Sequence, residues 1–465
     1  MIDHRPSNAL HVYAGPTLDA DTIHALAPEA IVQPPAQHGD LLRLTPSPGD
    51  TVLLIDGLWH QVPPVRHKEI LELLHRGTRV VGAASMGALR AAELAPYGMI
   101  GVGWVYQQYA TGRIEADDEV ALVHTPDGRP LSTALVCLRY ALQHAADTAV
   151  ITKADAERLL ELARAMPFHR RSWAALGHAA AQAGLAAAHR HVVTWLGTSV
   201  SPDAADIKAA DARLAILLAS VGKLPAATAA GNWQHEPWRT SHLRRWIATY
   251  RPVSTIDDAQ VPLLPALQYA QLYDPRFPAC WRRRVLAWIA GRPETTPTDV
   301  LEDQALAAAR DRGLHLGALA PAQVEHWATP TEIITLCQRE LLLRILIRSA
   351  RLDPTASVWP ETPADANGLL DLTDCARVAA TAWRVNRAVE ASGPGRTIGH
   401  LDPDRIRTQL ARHWGLIAEP VDSRELTAAA RDRGILSGEA AVTQARPFYL
   451  ATRTAPAVPA ASAQA

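Results

Sequence analysis

Lysine is nearly missing from this chain of 465 residues. Lysine and arginine together number 46, yet only Lys68, Lys153, Lys208 and Lys223 are lysines, which leaves 42 arginines. Arginine keeps its proton in a protein, whereas a desolvated lysine can lose its own and act as a base. Where lysine survives such a bias, the position is a candidate for needing an amine, and Lys68 is alone in the first 152 residues. Cysteine is equally scarce. Cys137, Cys280, Cys337 and Cys375 are far apart with no C-x-x-C pair, which argues against a disulfide framework and against structural zinc. A net charge of −1 gives no global pull toward nucleic acid or an anionic membrane. No uncharged apolar run reaches the ~18 residues of a membrane span. The opening MIDHRPSNAL lacks the basic-then-apolar order of an export signal. These absences predict a soluble cytoplasmic protein without metal, cofactor, nucleic-acid or membrane partner.

What is present divides in two. Up to about residue 135, short β-type runs alternate with helical patterns, the rhythm of an α/β domain with a largely parallel sheet. Strands are expected at 10–14 (LHVYA), 30–32 (AIV), 51–56 (TVLLID), 79–83 (RVVGA) and 120–124 (VALVH), with helices at 65–76 and 86–94. Beyond residue 135 the texture turns to Ala, Leu and Arg at helical spacing, and 11 of the 13 tryptophans follow residue 150, so this part reads as mostly α-helical. The breaker-rich PAATAAGNWQHEP at 225–237 suggests a domain 1–224, a helical accessory domain 235–452 and a disordered tail 453–465. AAARDRG occurs at 307–313 and again at 428–434, as an internal duplication or a chance echo.

Chemistry concentrates where strand 79–83 runs into helix 86–94, with a serine at the bend. If 51–56, 65–76 and 79–83 form a βαβ unit, then Asp56, Lys68 and Ser85 share the carboxyl edge of the sheet, where open α/β sheets bind ligands. The backbone N–H groups of Met86 and Gly87 open the next helix and are candidate oxyanion donors. Ala83 stands where the G-x-S-x-G elbow has glycine, so an α/β-hydrolase is not indicated. A serine–lysine pair fits better than a triad, because 19 histidines supply too many accidental partners. The plain alternative is that Ser85 is a helix N-cap and Lys68 a surface cation.

Six ordered blocks make the chain resemble the TfuA-like proteins, partners of YcaO enzymes. They are PPAQHGDLLRL (34–44), IDGLW (55–59), HKEILELL (67–74), GAASMGALRAAEL (82–94), YGMIGVGWVY (97–106) and DDEVALVH (117–124), with weaker likeness at RRSWAAL (170–176) and DIKAADA (206–212). The resemblance implies a serine–lysine hydrolase that cleaves the C-terminal thiocarboxylate of a ThiS-like sulfur carrier. The sulfide would serve YcaO in backbone thioamidation of a ribosomal precursor peptide, whose engagement the protein would assist. On this chain the nucleophile is then Ser85 and the base Lys68, with Asp56 and His67 as possible supports and Lys208 as the rival amine. Val65-Arg66 stands before His67 where the family pattern has Val-Trp, which alters the wall beside Lys68. A non-catalytic adaptor for YcaO and precursor peptide, and a general serine esterase, are the alternatives.

Three further features have simpler readings. The acidic run at 115–119 is a polar turn before it is a Mg²⁺ site. GMIGVG at 98–103 lacks the context of a dinucleotide loop. CWRRR at 280–284 reads as one core tryptophan with arginines pointing in different directions.

Overall fold

The computed structural model describes residues 8–47, 49–60, 62–198, 205–227, 238–360, 372–416 and 422–453. It divides into two compact units, Met1–Trp238 and Arg239–Ala465.

The first unit opens with β1 (Leu10–Tyr13), α1 (Ala20–Leu26), β2 (Ile31–Gln33), α2 (Asp40–Arg43), β3 (Thr51–Leu54), α3 (His67–His75), β4 (Arg79–Ala83), α4 (Met86–Leu94), β5 (Ile100–Val102) and α5 (Trp104–Ala110). The sheet is parallel throughout, in the order β2-β1-β3-β4-β5. Both faces are covered, which is why its central strands read as unbroken apolar runs. Alternate residues serve opposite faces. Val52, Leu54 and Val80 pack with Leu41, Ile70, Leu73 and Met86 from α2, α3 and α4. Leu53, Ile55 and Val81 pack with Ile23 of α1 and with Ala212, Ala215 and Ile216 of a closing helix, Ile207–Ser220. Between α5 and that closing helix the chain forms a satellite bundle, Leu135–Asp147, Lys153–Arg164, Trp173–Gln182 and Ala186–Thr198, with its own apolar core.

Two expectations need correction. Residues 120–124 are not a strand of the sheet. Val123 O accepts from Leu131 N at 2.7 Å and Ser132 N at 3.3 Å, and Thr125 N donates to Arg129 O, which sets His124 opposite Pro130, so the alternation is spent on a hairpin-like turn. The fifth strand is instead Ile100–Val102, inside GMIGVG, where glycines hid a short strand.

The second unit is mostly helical, with one antiparallel ribbon, Pro252–Ile256 against Ala259–Pro262. Its turn residues Asp257 and Asp258 have φ of 45° and 64°, as a two-residue hairpin with right-handed twist requires. Trp281 is fully buried in the core. The neighbouring arginines diverge: Arg282 bonds Glu302 and Glu340, Arg283 bonds the carbonyls of Glu294 and Thr296, and Arg284 bonds Glu294 and the carbonyl of Val358. The AAARDRG echo has a local explanation. Gly313 and Gly434 take φ of 76° and 71°, and Leu314 N→Ala309 O and Ile435 N→Ala430 O close the same helix stop. Gly184, Gly222 and Gly415 end helices in the same way without the rest of the echo, so a helix-stop signal accounts for it. Most of the 225–237 linker, from residue 228, and the tail from residue 454 lie outside the described residues.

Arg348, with its side chain 1% exposed, ties Glu332 at 2.6 Å to Asp432 at 2.7 Å. Burial works to raise the Glu332 pKa, but the Arg348 hydrogen bonds, the Thr329 N–H and the charges of Arg348 and Arg344 together hold it down at about 2. A depressed carboxyl pKa stabilises the fold above its unfolded value, here 4.5, and that contribution is lost as pH falls toward about 2. Glu332→Gln should therefore lower the unfolding temperature at pH 7, with the gap to the unmutated protein closing steadily below pH 4.5 in calorimetry. A gap independent of pH would show that the carboxylate charge is not what matters.

Candidate functional site

The sheet order places a switch point between β1 and β3, because the chain leaves β1 toward β2 on one side and continues from β3 on the other. Asp56, just past β3, closes this crevice. Its Oδ2 accepts from Gly15 N at 2.9 Å and Thr17 N at 3.0 Å, and its Oδ1 accepts from Thr17 Oγ1 at 2.6 Å. The loop after β1 is thus pinned to the end of β3 by three hydrogen bonds on a buried carboxylate.

Ser85 sits one strand further along, after an unusual turn. Ala84 has a φ of 66°, uncommon for a residue with a side chain, and Ser85 N donates to Ala83 O at 2.7 Å. The turn is held from behind. Gly87 N donates to Ile55 O at 3.1 Å, and a Cβ on Gly87 would lie 1.8 Å from the Leu54 carbonyl oxygen. Only glycine lets α4 start this close to β3. Two consequences bear on chemistry. The Gly87 N–H is occupied, so of the two expected oxyanion donors only Met86 N–H is without an acceptor among the described residues. Ser85 occupies the N-cap position, yet its side chain makes no capping hydrogen bond, which sets the N-cap alternative aside.

Ser85 lines a cavity of about 200 Å³ together with Asp56, Lys208, Pro16, residues 57–60, residues 120–124 and Phe168. The ring of His60, a residue with φ of 63°, stacks on Phe168 at 5.5 Å and 6°. Lys208 is only 2% exposed, and its Nζ donates to Val120 O at 3.1 Å.

Of the residues expected at the site, the structure brings together Ser85, Asp56 and Lys208, and not Lys68 or His67. Lys68 is not among the cavity's lining residues. Its neighbour His67 contacts Glu93 at 2.8 Å and Arg90 at 3.2 Å. At 1.5 Å per residue, Glu93 is about 12 Å along α4 from Ser85. The start of α3 thus packs beside the body of α4 rather than at its opening.

Several supporting residues carried no signal that pattern reading could use. Arg171, buried, donates to the carbonyls of Ala163, Met166 and Asp118 and to the Asp118 carboxylate at 2.5 Å. Arg139 pairs with Glu119. The acidic run at 115–119 therefore holds the loop that forms the cavity wall, and no group of side chains suited to a metal occurs among the described residues. Asp211 accepts from Trp104 N at 2.9 Å and Val105 N at 2.8 Å, capping α5 from another helix. Burial pushes its pKa up to about 6 against the lowering effect of those two amides. Cys137, whose Sγ is 3.5 Å from Asp206, is not a rival nucleophile, because burial and then the Asp206 charge push its thiol up to about 12.

Residues 56–172 match the family model described as TfuA-like protein. This segment is TfuA-like. The match spans Asp56, Ser85 and the wall at 120–124, and ends before Lys208. No curated protein matches the chain.

If Asp56 clamps the loop after β1 rather than carrying a proton, Asp56→Asn should cost about 3 kcal/mol, the loss of charge-assisted bonds plus a buried amide facing two N–H donors. Denaturant unfolding measures the cost, and hydrogen exchange should show Gly15 and Thr17 amides released first. Unchanged protection of those two amides would remove the clamp role.

Proposed function

We propose that this protein is a serine–lysine hydrolase of thiocarboxylates in which the base is Lys208. Lys208 takes the hydroxyl proton as Ser85 Oγ bonds to the thiocarboxylate carbonyl carbon. The tetrahedral oxyanion rests near the Met86 N–H at the positive end of α4. Collapse breaks the C–S bond as Lys208 passes the serine's proton to the departing sulfur, so hydrosulfide leaves and the amine is neutral again. Water, deprotonated in turn by Lys208, then cleaves the acyl-serine ester and frees the carboxylate. A sulfur leaving group departs more easily than an amine, so one free amide donor suits this reaction better than it would suit peptide hydrolysis.

The observation that carries this reading is the meeting of an uncapped Ser85 hydroxyl and a buried lysine in one cavity. Resemblance to the TfuA-like proteins supplies the substrate, a ThiS-like sulfur carrier, and the consumer of the sulfide, a YcaO enzyme acting on a precursor peptide.

Sulfide release from a thiocarboxylated carrier tests the assignment. Ser85→Ala should abolish release, and Lys208→Met and Lys208→Arg should each lower it by about 10³-fold, the scale of a lost general base. Lys68→Arg should stay within about twofold, since Lys68 does not line the cavity and the substitution keeps its charge. Full activity in Lys208→Arg would return the base role to Lys68. Release that survives Ser85→Ala would favour the non-catalytic adaptor.

A further inference from the structure

One wall of the cavity is the short segment Val120 to His124. In an extended chain the N–H and C=O of one residue face one side, and those of the next face the other. Val123 N donates to Ser132 Oγ at 2.8 Å and Val123 O accepts from Leu131, while Thr125 N donates to Arg129 O at 2.9 Å. Residues 123 and 125 are thus turned inward to their own hairpin. Leu122 and His124 must present their N–H and C=O to the opposite side. Both line the cavity, and among the described residues neither has a backbone hydrogen bond. The two donor–acceptor pairs are about 6.6 Å apart at 3.3 Å per residue, which is the repeat of a β-ladder.

We propose that this edge receives an extended polypeptide C-terminus as an added strand, paired through Leu122 and His124, with small residues at its end beside Ser85. Its chemistry selects the occupant: alternating donors and acceptors at strand spacing match another backbone. A cavity of about 200 Å³ is below the ~300–1,000 Å³ of typical small-molecule sites, so the chain end must be slender. Unpaired backbone groups in a pocket wall cost stability unless something completes them, and a passing strand does so without requiring particular side chains. Lys208 fixes the wall through Val120 O, so a residue that lines the cavity with the serine also anchors the segment that carries the edge. The inference rests on Ser85 as the nucleophile for its direction: the tail runs so that its last carbonyl reaches that hydroxyl.

The test uses the full chain carrying Ser85→Ala and a fluorescein-labelled octapeptide ending in Ala-Gly-Gly carboxylate, read by fluorescence anisotropy. A set of peptides with one backbone N-methyl group each should show an alternating pattern. Methylation at every second residue should weaken binding about tenfold, because it removes a donor and blocks the edge, while the intervening positions change it less than about twofold. Replacing Gly-Gly by Leu-Trp should also weaken binding about tenfold or more. A flat N-methyl profile, or no binding at millimolar peptide, overturns the edge. The nucleophile is judged separately, by sulfide release from thioacetate with the unmutated protein and with Ser85→Ala. An alternating profile with Ser85-independent release would keep the edge and remove the nucleophile.

Discussion

A parallel sheet with two apolar faces must cover both, and on one of them the first 110 residues supply only α1. Leu53, Ile55, Val81 and Ala83 would otherwise face water. The helix Ile207–Ser220 meets this demand after the chain has built a whole satellite bundle. The small residues Ala209, Ala212 and Ala215 let it lie close to the strands, with Ile216 filling the remaining space. Once that helix is seated, Lys208 in its first turn has no choice but to stand at the carboxyl edge of the sheet. A requirement of burial thereby sets the position of the amine, about 120 residues away in sequence from Ser85.

Burying polar groups at this edge costs free energy unless each is satisfied, and their partners turn out to be the loops that shape the cavity. Asp56 holds residues 15–17, Arg171 holds Asp118, Lys208 holds Val120, and Asp211 holds the start of α5. None of these bonds lies within a regular element of the sheet. Each joins segments distant in sequence, so the loops around the cavity are tied to distant parts of the fold. The strained turn at Ala84 is the converse case. Its left-handed backbone persists because Gly87 is locked against Leu54 and Ile55, and the outcome is a serine side chain with no capping duty.

Local patterning made much of the first unit legible. The runs at 10–14, 30–32, 51–56 and 79–83 and the helices at 65–76 and 86–94 correspond to elements seen, because a fully covered strand announces itself by continuous apolar residues. The run at 120–124 misled for a physical reason: alternation records which side chains are buried, not whether the backbone joins the main sheet. GMIGVG hid β5 because glycine lacks strand character on its own, and only its neighbours in space make it a strand. Ser85 was legible from the strand-to-helix bend. Which lysine lines the cavity with it was not legible, since Lys68 is near Ser85 in sequence and Lys208 is brought there by the fold.

The scarcity of lysine gains force when the four positions are compared. Lys153 and Lys223 are exposed, so arginine could replace either with little change in what surrounds it, and Lys68 is half-buried. Lys208 is the buried one, and no carboxylate pairs with it among the described residues; its Nζ has the Val120 carbonyl. A guanidinium is wider than an ammonium and brings five donors, which a single carbonyl in a cavity of about 200 Å³ would leave mostly unsatisfied. Shape and hydrogen-bond count therefore both exclude arginine at position 208. At the exposed positions 153 and 223 this exclusion has no counterpart, so position 208 is a place where shape and hydrogen-bond count work against the bias that removed lysine elsewhere.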